Sequence, residues 1–279
     1  MRLVGGFLVG IAALVLAGCF RTGGGVTHSS SQYQLLHPTT DTDTAYLEYV
    51  VIERTEGGEE INRRAWDRVD EQMLPFETRR VLESAGLRVG VTSDTAPGPL
   101  RRLIEDPRTN RGHRGRTFAL EKPAELHVSG ALERAAFPIP GADDGPARFA
   151  RPFVQLGFDL TVRDAADGRA LVQLVPWARY RDRALLLPND PDGRRDQTTE
   201  TFPGAAFDVT ISPNELLVIG TDSYWEDTFG HAAFTETLED RRVQRLLVLR
   251  AVVVHAERPA TGRLSALPLA SQAASAPRP

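Results

Sequence analysis

The chain has 279 residues, with 33 lysines and arginines against 37 aspartates and glutamates, a net charge of −4 and a mean hydropathy of −0.26. That acidic balance leaves nucleic-acid binding without an electrostatic footprint. A single cysteine, Cys19, excludes an internal disulfide, so the fold must rest on its apolar core alone, which is feasible at this length.

Arg2 precedes an apolar run from Leu3 to Leu16, which ends in Leu16-Ala17-Gly18-Cys19. The run is shorter than the roughly 20 residues of a membrane-spanning helix, and small residues stand before the cysteine. This stretch resembles the export signal and lipobox of bacterial lipoproteins. The resemblance implies a signal peptide over 1–18, cleavage before Cys19 and lipid, palmitate included, on the Cys19 sulfur. An uncleaved anchor helix is the alternative, and it gives the cysteine at the boundary no role. Phe20, where an aspartate would imply inner-membrane retention, points by the same resemblance to the outer membrane, facing the periplasm. The expected partner is therefore the membrane, through the lipid on Cys19; each buried methylene contributes about 0.8 kcal/mol. A lipidated Cys19 is neither a catalytic thiol nor a metal ligand. No second apolar run of about 18 residues follows, so the expected body is a soluble domain held at a membrane surface in the cell envelope.

Residues 19–44 are rich in Gly, Ser and Thr, with Gly23-Gly24-Gly25 and Ser29-Ser30-Ser31, and read as a flexible tether that spans roughly 25–30 Å as a coil. Structure is expected from Ala45. Leu47, Tyr49 and Val51 alternate with Glu48, Val50 and Ile52 as a strand. Ile61, Ala65, Val69 and Met73 fall four apart with Trp66 beside them, which predicts an amphipathic helix. Pro75 opens a second helix carrying Phe76, Val81, Leu82 and Ala85, and Gly86 is placed to end it. Leu87, Val89 and Val91 alternate as a strand, and Leu100, Leu103 and Ile104 predict a short helix after Pro99. The order β-α-α-β-α over 45–116 reads as a small module. Its last stretch, with Arg108, Arg111, His113, Arg114 and Arg116, reads as an exposed loop, or else as a contact for anionic lipid or glycan.

Residues 117–256 read as a mainly antiparallel β domain, which makes the fold class α+β. Phe118 and Leu120, then Leu126, Val128 and Leu132, suggest short strands. Val154, Leu156, Phe158, Leu160 and Val162 alternate, Asp167-Gly168 turns the chain, and Ala170, Val172 and Leu174 return as a hairpin. Phe207, Val209 and Ile211 form another strand, Ser212-Pro213-Asn214-Glu215 a turn, and Leu216 to Ile219 a fully apolar strand. Arg245 to Val254 predicts a central strand, rich in β-branched residues. Residues 257–279, mostly Ala, Ser and Pro, read as a disordered tail.

Three features between Phe153 and Val254 carry a second resemblance. They are Gly157-Phe158-Asp159-Leu160-Thr161-Val162 with the return over Leu171 to Pro176; Phe207 to Ile211 with Glu215 to Gly220; and Leu246 to Val254. Together they are similar to the C-terminal β region of secretins, the ring-forming outer-membrane channels of bacterial secretion. The Leu47-to-Glu53 strand also looks like one from their periplasmic domains. The resemblance implies an envelope structural or assembly role, with other envelope or secretion proteins as partners.

Chemistry is sparse. The six histidines, His28, His37, His113, His127, His231 and His255, show no metal-ligand spacing. Asn189 to Asp196 has the oxygen-rich look of a calcium loop, but lacks the bidentate glutamate and fits a plain turn better. No Gly-x-Ser-x-Gly elbow, P-loop or dinucleotide fingerprint occurs. No catalytic residue, cofactor or metal site is therefore expected, and the chain is not read as an enzyme. Tyr224, Trp225 and Phe229 lie in the densest aromatic stretch. It reads as a loop on the β core, or else as a sugar or peptide platform and so a candidate interaction surface. The main expectation is a non-catalytic, membrane-anchored envelope lipoprotein acting through protein–protein interaction. The alternative is a periplasmic hydrolase or ligand-binding lipoprotein for cell-wall or glycan material, with a deep pocket around Asp222, Trp225 and His231.

Overall fold

The computed structural model describes residues 43–255 except 57, 94–97, 111–113, 141–146, 182–196, 223 and 239. Cys19, the signal peptide 1–18, all but the last two residues of the tether, the tail 257–279 and the Asn189–Asp196 loop lie outside the described residues.

In chain order the strands are β1 (Thr44–Thr55), β2 (Arg88–Ser93), β3 (Arg114–Ala119), β4 (Ala124–His127), β5 (Leu132–Pro138), β6 (Arg148–Asp164), β7 (Ala170–Arg181), β8 (Gln197–Thr201), β9 (Phe207–Ile211), β10 (Glu215–Gly220), β11 (Thr235–Leu238) and β12 (Arg241–Val254). The helices are α1 (Glu59–Asn62), α2 (Phe76–Ser84), α3 (Gly98–Glu105) and α4 (Phe229–Phe234). Every pairing between these strands is antiparallel, so the chain is α+β and mainly antiparallel β. The first sheet runs β2-β10-β12-β1-β3 with β11 also on β12; the second runs β4-β6-β7-β8 with β5 on β6 and β9 on β7.

Side-chain alternation along β12 dictates the layering. Leu247, Leu249 and Ala251 join Leu47 of β1 and Ile219 of β10 in one apolar cluster with Leu156, Phe158, Leu160, Val172 and Leu174 of the second sheet. The intervening Leu246 and Val248 face the other way, packing with Val50, Ile52, Ile61, Trp66, Leu100 and Leu103 beneath α1 and α3. Successive side chains of a strand point to opposite faces, so one apolar run serves both layers. Short helices, the first sheet and the second sheet thus form three layers.

The β6–β7 hairpin forms as its pattern predicts, with Val162 opposite Val172 and positive φ at Ala166, Asp167 and Gly168 in the turn. On its outer face Trp177 lies fully buried over Gly157, where a Cβ would come 2.6 Å from the indole ring. Helix α2 ends as expected at Gly86 (φ 73), with Leu87 N–H donating to Leu82 O and Gly86 N–H to Glu83 O.

The helix expected through Ile61, Ala65, Val69 and Met73 does not run through. It divides into α1 and 3₁₀ turns at Arg64–Trp66 and Glu71–Met73. The cause is Asp70, which exchanges two backbone hydrogen bonds with Val91 and so adds a rung at the edge of β2. An extended Asp70 (φ −81, ψ 99) cannot sit inside a helix. The apolar spacing survives because the short turns still bury Ile61, Ala65, Trp66 and Val69.

Nor do residues 45–116 and 117–256 keep to separate sheets. β1 pairs with β12 along its whole length, and β2 pairs with β10. A strand with two open edges gains more by joining a larger sheet than by closing a three-stranded one, and the described residues form one compact unit. The Ser212–Glu215 turn is present, its Ser212 N–H donating to Glu215 Oε2 at 2.7 Å, but it carries the chain from β9 in the second sheet to β10 in the first.

Candidate functional site

The expected aromatic surface separates. Tyr224 is 89% exposed. Trp225 is half-buried beside a cavity of only about 70 Å³ that it shares with Leu74, Arg79 and Arg88. Phe229 is no surface residue: it is fully buried, its ring edge-on to Phe137 at 5.5 Å and to Phe202 at 5.8 Å. Thr228 caps α4 by accepting from His231 N–H, and Gly230 N–H donates to Ala85 O, which turns Phe229 inward. Neither Asp222 nor His231 lines the Trp225 cavity, so this cavity does not bring the three together.

His231 sits instead in a charged cluster. Arg242 lies 2.7 Å from Glu56 and donates to His231 Nε2 at 3.0 Å. Because arginine only donates, the His231 proton resides on Nδ1, which is buried without a partner. Burial holds this histidine below its ordinary pKa. His127 is likewise held low by burial, its ring edge-on to Trp177 at 5.1 Å. Of the basic stretch 108–116, Arg114 and Arg116 lie on β3 and are exposed.

The most unusual side chain is one the pattern did not single out. Arg245 of β12 is 3% exposed. Its Nε donates to Glu53 of β1 at 2.6 Å and its Nη2 donates to Glu236 of β11. Among the described residues its Nη1 is buried with no hydrogen-bond partner. A buried donor left without an acceptor costs about 1–3 kcal/mol. Arg245 shares its parity with Leu247 and Leu249, so it belongs to the face between the sheets. That parity is readable from the sequence, since the strand expected over Arg245 to Val254 contains all three residues.

A cavity of about 300 Å³ opens here between the first sheet and the segment after β4. Tyr49, Glu53, Arg114, Ser129, Glu236 and Arg245 line it. A second cavity of about 470 Å³ adjoins it, sharing Tyr49 and Arg114 and running along β3 to Glu125. Gly130 covers the Glu236 carboxylate so closely that a Cβ would lie 3.0 Å from Oε1. The site can donate from guanidinium groups, accept at carboxylates and offer an aromatic wall. Among the described residues no group of three or more His, Cys, Asp or Glu side chains could hold a metal ion. No helix among them is long and apolar enough to cross a membrane. The chain matches no protein-family model and no curated protein.

Proposed function

We propose that the chain is a non-catalytic, lipid-anchored protein of the cell envelope with a structural or assembly role. The observation that carries this reading is Leu16-Ala17-Gly18-Cys19 closing an apolar run that begins after Arg2. The lipid on Cys19 would hold the body to a membrane, the outer one facing the periplasm, through the Gly- and Ser-rich segment. The secretin-like strand pattern between Phe153 and Val254 supports protein partners of the envelope or secretion class.

Palmitate labelling of the native protein tests the anchor. Label is expected in the wild type and absent from Cys19→Ala, which should move to the soluble fraction. Label that persists in the variant overturns the anchor. Crosslinking of the lipidated protein in isolated envelopes tests the role: envelope-assembly subunits recovered in fixed proportion support it, and recovery of the chain alone overturns it. A second reading, a ligand-binding lipoprotein for cell-wall or glycan material, is favoured by one observation, the cavity at Arg245.

A further inference from the structure

We propose that the open edge of β3 accepts an extended segment of a protein partner as an added antiparallel strand, and that this segment carries carboxylates at alternate positions. This inference rests on the assembly reading and names its surface.

β3 is the last strand of the first sheet and pairs only with β1. In an antiparallel pair alternate residues exchange hydrogen bonds with the neighbour, and those between them direct their N–H and C=O groups outward. Among the described residues no other strand or backbone group takes up those of Arg114 to Phe118. Arg114, Gly115, Arg116 and Thr117 are all exposed. Such an edge is a template for a further strand. At about 3.4 Å per residue, its six residues offer about 20 Å.

Charge selects the strand. Arg114 stands opposite Tyr49 and Arg116 opposite Leu47, so both belong to the face between the sheets. Among the described residues neither has an ion-pair partner. The carboxylates that share their cavities are engaged elsewhere: Glu125 accepts from Arg179 at 2.7 Å, and Glu53 and Glu236 accept from Arg245. On the other face Glu48 is held by Arg250. Past the strand, Glu121 and Lys122 offset each other. Positive charge therefore remains at two positions roughly 7 Å apart. An added strand presents its side chains at the same spacing, so an acidic residue at every second position meets both guanidinium groups. A second copy of this chain would bring like charges to the same edge, which disfavours it. Phe118, next on this face, suits an apolar neighbour. Room exists for these side chains: the cavity of about 470 Å³ lies between β3 and β4, with Leu47 and Leu126 in its wall beside both arginines. Among the described strands β4 pairs with β6 alone, so both sheets are open along this seam.

The test is fluorescence anisotropy of the full chain in detergent with the labelled peptide Thr-Val-Thr-Glu-Thr-Glu-Thr, whose valine and two glutamates align with Phe118, Arg116 and Arg114 in antiparallel register. Saturable binding is expected, and replacing both glutamates by lysine should weaken it by about tenfold or more. The double variant Arg114→Glu and Arg116→Glu, shown by thermal melt to be folded, should invert that preference. Two further copies of the peptide carry N-methyl groups on alternate nitrogens, one copy on either edge. The copy methylated on the edge facing β3 should not bind, and the other should bind as the parent does. No binding of the glutamate peptide, equal binding of the lysine peptide, a preference the double variant leaves unchanged, or two methylated copies that behave alike each overturns the added strand. A wild-type dimer in sedimentation velocity that the double variant loses also overturns it, by making a second copy the occupant. Crosslinking in isolated envelopes separates the two levels. Subunits recovered equally by wild type and double variant keep the assembly reading and remove this edge; recovery of no subunit removes the assembly reading, while peptide binding with the inverted preference keeps the edge.

Discussion

Arg88 and Arg245 belong to the same sheet, and both are held by glutamate. Arg88 makes a two-point contact with Glu71 at 3.1 and 2.6 Å, gives its third nitrogen to Asn62 O at 2.8 Å, and lies 4.2 Å over the Trp66 ring. Arg245 is more deeply buried, divides its contacts between two carboxylates on different strands, and leaves Nη1 without an acceptor. The first is a closed corner. The second clasps β11 to β1 and remains chemically incomplete beside a cavity. Burial alone leaves the two alike; the unmet hydrogen-bonding need at Arg245 separates them.

The largest test of this contrast is Arg245→Met. It removes the guanidinium from two carboxylates with side chains only 15% and 18% exposed, and should cost about 3–5 kcal/mol in urea unfolding. Adding Glu53→Gln and Glu236→Gln should recover more than half of that loss, because the two negative charges that faced Arg245 are then removed with it. A single-variant cost below about 1 kcal/mol would break the contrast. Next comes Arg88→Met, expected at about 1.5–3 kcal/mol, since Glu71 is 38% exposed and can return to water. Equal costs at the two positions would mean that burial does not separate them.

Two glycine variants sharpen the difference in tightness. Gly90→Ala places a Cβ 2.9 Å from Asp70 O and 2.5 Å from Val69 Cγ1, and should cost about 1–3 kcal/mol. Gly130→Ala brings a Cβ no nearer than 3.0 Å, to the end of the Glu236 side chain rather than to backbone, and should cost less than about 1 kcal/mol. The smallest effect is electrostatic. The folded-state pKa values of His127 and His231 lie below the ordinary 6.5, so between those values the unfolded chain binds more protons. Stability should therefore be full above pH 6.5 and fall as the pH drops through the folded values. Melts from pH 7.5 to 5.5 should show the decline, and His231→Gln should flatten it.

Much of the scaffold was legible. Strict alternation and Asp167-Gly168 specify the β6–β7 hairpin, and Gly86 marks the end of α2. What was not legible depends on partners distant in sequence. The spacing of Ile61, Ala65, Val69 and Met73 fits a helix, yet the rung between Asp70 and Val91 is decided by the sheet. β8 (Gln197–Thr201) has no apolar residue and so no periodic signal. Phe229 stands near Tyr224 and Trp225 in the sequence and shares their aromatic character, yet Thr228 and Gly230 turn it into the core. The candidate site was invisible for the same reason: Glu53, Glu236 and Arg245 are each ordinary strand charges until three strands align them.

The pairing of β1 with β12 also governs when the chain can fold. Thr44 lies opposite Val254 and Thr55 opposite Val243, so among the described residues the earliest strand lies against the latest. During synthesis, β1 emerges long before this neighbour, and loop closure over such a distance is slow. The hairpin β6–β7, whose strands are separated only by a short turn, can form while β1 still has one edge exposed. Closure of the first sheet, and with it assembly of the Arg245 clasp, is therefore a late step that requires nearly the whole body to have arrived.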